Sequence, residues 1–269
     1  TGPRRFGTLA TTHAPGTTPL PEPHPAALER FPAAGAAPRR RLLVFPHAGG
    51  GGLSGRALLH PGTEVVVHRR PGRESRMGDP TPVSVRGAID EALAALLPVL
   101  DADGVPTAVL GHSFGALPAA EFAAALDRLR PGRLERVVLS AKATPPAPDP
   151  QLAAILEDDG ALAAWLLALG GTPEELLTDP GLREMVLAPL RADLRASLSY
   201  DGQPPHLATP LLLVHAREDG GATAEAMAGW ARCTGGAVRT LGVPGGHHGL
   251  YAHPDLLHAA LDESADGAL

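Results

Sequence analysis

The residues Gly111-His112-Ser113-Phe114-Gly115 follow the apolar run Thr107 to Leu110 and precede a segment with helical spacing. Two glycines at that spacing permit a cramped strand-to-helix turn, which pushes the Ser113 hydroxyl into a cleft at the amino end of the following helix. The free N–H groups and dipole of that helix favour negative charge there. A serine so placed is a nucleophile, and it needs a base to take its proton and an acid to orient the base; in such sheets these arrive in the chain order Ser, Asp, His. After the run Leu211 to Val214 comes Ala216-Arg217-Glu218-Asp219-Gly220, and after Val238 to Leu241 comes Gly245-Gly246-His247-His248-Gly249. Asp219 and His247 are the expected acid and base. Glu218 and His248 are their rivals, since a one-residue shift of either loop exchanges the directions of neighbouring side chains. His112, next to the nucleophile, should point away and pack.

Acyl chemistry also requires donors for a developing oxyanion. One is expected from the N–H of Phe114, the residue after the nucleophile, and the other from the loop Phe45-Pro46-His47-Ala48-Gly49-Gly50-Gly51-Gly52, with the Ala48 N–H as the candidate. A fourth segment, His68-Arg69-Arg70-Pro71-Gly72-Arg73-Glu74-Ser75-Arg76, places four arginines just past another apolar run. They are read either as a positive rim attracting a phosphate-bearing or acidic partner, or as a loop whose arginines pair with Glu74 and Asp79. His247 with His248 does not make a metal site, because adjacent side chains diverge and no His-Glu-x-x-His motif is present, so no metal or cofactor is expected. The lone Cys233 is expected as a small core residue.

The elements that must carry these loops are short apolar runs, Leu42 to Phe45, Val65 to Val67, Thr107 to Leu110, Val137 to Leu139, Leu211 to Val214 and Val238 to Leu241, separated by helical segments. Ser84 is a candidate N-cap for the helix carrying Ile89 to Leu100. Alternation of this kind implies an α/β fold with a mainly parallel sheet, helices on both faces and the site at the carboxyl ends of the strands. Between the fourth and fifth runs lies a long helical stretch, about 144–208, that is too long for a simple crossover. It is expected either as a helical lid over an acyl pocket, with Trp165 and Leu166 in it, or as a second core layer. Residues 1–38, rich in Pro, are expected as an irregular tail or linker, and 39–269 as one domain.

Composition narrows the partners. The chain of 269 residues has a formal net charge of -6 and only five Phe, two Trp and two Tyr, which argues against a nucleic-acid binder. Its apolar stretches fall short of the roughly 18 to 20 residues of a membrane span, and the first ten residues contain no signal-peptide apolar core. A soluble, cytoplasmic protein is expected.

Taken together, Phe45-Pro46-His47-Ala48-Gly49-Gly50, Pro71-Gly72-Arg73-Glu74-Ser75-Arg76, the Ser113 turn, Arg191-Ala192-Asp193 and Gly245-Gly246-His247 resemble the type II thioesterases of polyketide and nonribosomal peptide synthase pathways. The resemblance implies an α/β-hydrolase fold with a lid and a Ser113, His247, Asp219 triad. It further implies hydrolysis of acyl thioesters from the phosphopantetheine arm of acyl or peptidyl carrier proteins, or of a small-molecule acyl thioester, with Arg73 and Arg76 on the carrier side. A product-releasing or cyclising thioesterase, a small-molecule esterase and a non-catalytic binding relative are the alternatives. The chain departs from the family pattern where His248-Gly249 follow His247, where Gly220-Gly221 follow Asp219 and where Gly51 to Arg56 carry no aromatic residue.

Overall fold

The computed structural model describes residues 19–35, 37–145, 150–200 and 203–263. Seven strands, β1 (Leu28–Phe31), β2 (Arg40–Phe45), β3 (Thr63–His68), β4 (Thr107–His112), β5 (Arg136–Ser140), β6 (Leu211–Ala216) and β7 (Val238–Val243), form one sheet in the order β1-β3-β2-β4-β5-β6-β7. All neighbours are parallel except β1 and β3. The six apolar runs read from the sequence are β2 to β7. The continuous hydrophobicity of β2 to β6 reflects burial on both faces, as parallel sheets require, whereas β7, at the sheet edge, is only partly buried and carries Arg239 and Thr240. Alternate residues serve the two layers: Leu43, Phe45, Val109 and Leu139 join one core cluster with Phe122, Leu96 and Leu162, whereas Leu42, Val44, Leu110 and Val138 join the other with Leu58, Leu257 and Leu261.

Strand β1 lies inside the stretch expected as an irregular tail, of which residues 1–18 are outside the described residues. It escapes pattern reading because it is four residues long, Leu-Glu-Arg-Phe, and sits at the sheet edge between Pro25 and Pro32, where charged residues are tolerated. Its Arg30 and Glu29 pair with Glu64 and Arg69. Glu64 also takes the fully buried Arg41, its register partner on β2, at 2.6 Å.

Helices α1 (Ile89–Asp101) and α2 (Ala116–Leu129) belong to the first layer. Ser84 does not cap α1; its Oγ accepts the Gly87 N–H at 3.1 Å and so fastens a short 3₁₀ turn that precedes the helix. Between β5 and β6 come α3 (Pro150–Ile155), α4 (Asp159–Leu169), α5 (Glu175–Thr178) and α6 (Pro180–Leu198). Asp158 caps α4 through the Ala161 N–H at 2.7 Å, and Asp179 caps α6 through the Leu182 N–H at 2.9 Å, with Pro180 in the first turn. Helix α4 ends in Gly170-Gly171, both with positive φ. The segments α7 (Ala224–Met227), α8 (Gly249–Ala252) and α9 (Pro254–Asp262) complete the described chain.

Strand β4 passes into α2 through Ser113, whose φ of 54° lies in the left-handed region that side chains avoid. Its flanking glycines are there for space. A Cβ on Gly111 would lie 2.4 Å from the Gly115 carbonyl oxygen, and one on Gly115 would lie 1.9 Å from the Phe45 carbonyl oxygen and 2.5 Å from that of Pro46. The elbow is therefore wedged against the carboxyl end of β2. Because the obstacle is backbone, Gly115→Ala is expected to cost about 3 kcal/mol or more. A thermal melt indistinguishable from wild type would show that the two loops are not in the contact described.

Candidate active site

The loops after β2, β3, β4, β6 and β7 converge at the carboxyl ends of the parallel strands. His247, on the loop after β7, donates from Nδ1 to Asp219 Oδ2 at 2.8 Å, and its Nε2 accepts the Ser113 hydroxyl at 2.9 Å. The tautomer follows from the partners, since a carboxylate can only accept. Burial works against the charge of Asp219, but the His247 hydrogen bond, aided by the Gly221 N–H at 3.0 Å, holds its carboxyl below the usual range. Glu218 is exposed, and its own N–H donates to the Gly245 carbonyl. The structure thus brings Ser113, His247 and Asp219 into one hydrogen-bonded line and leaves Glu218 outside it.

Around this line packs a cluster of rings. His47, His112, His248 and Tyr251 lie with centroids 4.8 to 6.2 Å apart, and His247 joins them 5.4 Å from His112 and 5.3 Å from His248. His112 is fully buried and bonded through Nδ1 to Ser140 Oγ at 3.0 Å, so it packs behind the elbow. Burial, reinforced by the neighbouring imidazoles, lowers His47 to about 3 and His248 to about 4, and pushes His112 well below its ordinary value. These three rings are neutral near pH 7. Among the described residues no three His, Cys, Asp or Glu side chains converge as a metal site.

The arginine loop after β3 does not form a positive rim. Arg69, Arg70, Arg73 and Arg76 are all buried, Arg73 and Arg76 to 4% exposure. Each is paired: Arg69 with Glu29 and Glu74, Arg76 with Asp79 and Glu91, and Arg70 and Arg73 with Asp193 on α6. A guanidinium excluded from water must find anions and carbonyls for its five donors, and here the fold supplies them. Asp193 accepts from Arg70 at 3.2 and 2.7 Å, from Arg73 at 2.8 and 3.0 Å, and from the Gly49 N–H at 2.8 Å. Arg70 also donates to the carbonyls of Pro46 and His47, and Arg73 to that of Gly50. The carboxylate and its two arginines thereby fix the loop that carries Ala48, while the Arg70 guanidinium lies 4.7 Å from the centre of the Phe114 ring.

Sequence reading singled out Asp193 only as part of a motif and gave it no role. A signal was available. On α6 the buried residues Leu187, Leu190 and Leu194 mark one face, and Asp193 falls on it; a carboxylate there demands a buried cation, and the arginine loop lacked enough acids of its own.

Beside the Ala48 loop lies a cavity of about 650 Å³ whose walls include Ala48, Leu53, Leu166, Leu176, Met185, Val186, Leu190 and His248. Leu166 therefore reaches it. Trp165 does not: it is partly buried against the core cluster, one residue round the helix from the wall-lining face.

Burial opposes the charge of Asp193, but Arg70 and Arg73 hold its carboxyl at about 2, below the ordinary 3.8. The folded value being the lower one, the stabilisation is fully present above the ordinary value and is lost as pH falls towards about 2. Asp193→Asn, which leaves two buried guanidiniums without their anion, should cost about 3–5 kcal/mol near neutrality. In urea titrations the gap to wild type should narrow as pH falls below about 4, and a gap that stays constant down to about pH 2 would contradict the assignment.

A family model of the thioesterase domain matches residues 40–263. The antimetabolite synthetase AmbE of Pseudomonas aeruginosa is 36% identical over 234 residues, which cover 82% of this chain and 10% of that protein. A probable cadicidin biosynthesis thioesterase of Streptomyces griseus is 32% identical over 228 residues, 83% of this chain and 62% of the relative. The chain therefore spans a tenth of the first and less than two thirds of the second. Among solved structures, the type II thioesterase BorB from the borrelidin biosynthetic cluster superposes with a TM-score of 0.73 at 29% identity, covering 88% of this chain and 96% of BorB. The matched residues run from the first residue of β2 to just past the end of α9, and the chain belongs to the thioesterase domain family.

Proposed function

We propose that the protein hydrolyses acyl thioesters carried on the phosphopantetheine arm of acyl or peptidyl carrier proteins, removing stalled or misloaded units in a polyketide or nonribosomal peptide pathway. The observation that carries this reading is the Ser113–His247–Asp219 line at the elbow of a thioesterase-family chain. Ser113 Oγ attacks the thioester carbonyl carbon while His247 Nε2 takes its proton, and Asp219 stabilises the imidazolium that forms. The carbonyl oxygen, now an anion, is received by the N–H groups of Ala48 and Phe114. Each such donor is worth about 10²- to 10³-fold in rate. Collapse expels the thiolate, which takes the proton from His247, and leaves an acyl-serine. Water, deprotonated by the same imidazole, then attacks the ester and frees the acid.

AmbE favours a second reading, since the region that matches there is a small part of a synthetase. In that reading the same steps release a finished product. Analysis of what is freed from a panel of acylated carrier proteins separates the two: short or aberrant acids support editing, and a full-length product supports release.

The triad roles are tested by substitution. Ser113→Ala should lower kcat by on the order of 10⁶ without loss of fold, and retention of a tenth of the activity would sink the serine mechanism. Asp219→Asn should lose on the order of 10⁴, whereas Glu218→Gln, exposed and off the line, should stay within about two-fold. Reversed magnitudes would reassign the acid.

A further inference from the structure

The cavity beside Ala48 is apolar over most of its wall, through Leu166, Leu176, Val186 and Leu190. The exception nearest the chemistry is His248, which adjoins His247 in the chain and whose ring lies 5.3 Å from the His247 ring and 5.0 Å from that of His47. The wall's other uncharged polar side chains are Ser54 and Thr172, on the 3₁₀ turn Gly52–Leu58 and the loop before α5, and His47 and Tyr251, whose Nδ1 and hydroxyl are sealed from solvent. Neither ring nitrogen of His248 is hydrogen-bonded to any of the described residues, and neither is sealed from solvent. The ring is nonetheless held: a Cβ on Gly171 would lie 3.0 Å from its Cδ2, so the turn after α4 rests against it. Burial and the neighbouring His247 lower it to about 4, so near neutrality it offers one N–H donor and one nitrogen acceptor.

A held, neutral imidazole with uncommitted nitrogens, on the wall of the cavity beside the Ala48 loop and next to His247, matches a substituent that can both donate and accept. We propose that His248 is a specificity-determining residue that favours acyl thioesters bearing a hydroxyl or keto oxygen close to the thioester carbonyl, with hydrocarbon beyond it. The inference rests on the thioesterase reading above. The first carbons of the chain pass His248, and the remainder lies along the leucine and valine wall, where a second oxygen would meet no partner.

The test compares kcat/KM for the N-acetylcysteamine thioesters of 3-hydroxyoctanoic and octanoic acid. Wild type should favour the hydroxy substrate about five- to tenfold, the worth of one net hydrogen bond. His248→Phe, which keeps a ring and removes both nitrogens, should bring the ratio to about one, and His248→Gln should retain most of it. Should the Phe variant fail to fold, His248→Leu serves the same comparison. Equal turnover of the two substrates by wild type, or a preference that survives His248→Phe, overturns the proposal while leaving the thioesterase reading intact. Turnover of neither thioester by wild type overturns both.

Discussion

Five hydrogen bonds converge on the carboxylate of Asp193, and the shape of the catalytic face depends on them. A glycine-rich loop has no intrinsic reason to hold one conformation, since each glycine adds backbone freedom. Here Arg70 and Arg73 take three of its carbonyls and Asp193 takes the Gly49 N–H, so the position of the Ala48 amide is set by charges that have no alternative partner. Separately, either the arginines or the aspartate would be a buried and costly charge. Together they convert that cost into rigidity, because any displacement of the loop reopens it. Through Phe114 the same guanidinium reaches the elbow, so both proposed oxyanion donors are referred to one electrostatic centre.

The rings behind His247 supply a second kind of order. His47, His112 and His248 are kept neutral by burial and by one another, so a site crowded with imidazoles contains one histidine with both a carboxylate and a serine to serve. Adjacency in sequence says nothing about this. The rings of His247 and His248 stand at 82° to each other, and only His247 bonds Asp219 and Ser113, whereas His248 lines the cavity.

What the sequence made legible follows the same division. Fully buried parallel strands announce themselves as apolar runs, and the loops after them were located by that fact alone; the converging positions of Ser113, Asp219 and His247 then follow from strand order. Strand β1 was hidden because an edge strand needs no apolar continuity. Of the two readings of the arginine loop, the paired one holds for Arg69 with Glu74 and Arg76 with Asp79, whereas the anion of Arg70 and Arg73 lies more than a hundred residues away on α6, beyond the reach of any local count of charges. Helical spacing alone leaves Trp165 between an acyl-pocket wall and a core layer; the turn of α4 packs it against the core and gives the wall to Leu166. Local pattern reports which elements form; which buried charge meets which is a property of the closed fold.

Helix α6 serves two masters along its length. Its amino-terminal half offers Leu182, Met185 and Val186 to the cavity, whereas its carboxyl-terminal half, from Leu190, presses on Gly49 and delivers Asp193 to the arginines. Drift at Leu182, Met185 or Val186 alters what the cavity admits. Drift in the second half dismantles the machinery. A lineage acquiring new substrates can therefore rewrite one end of this helix freely while the other end stays frozen, so that within 19 residues the chain separates its adaptable vocabulary from its fixed grammar.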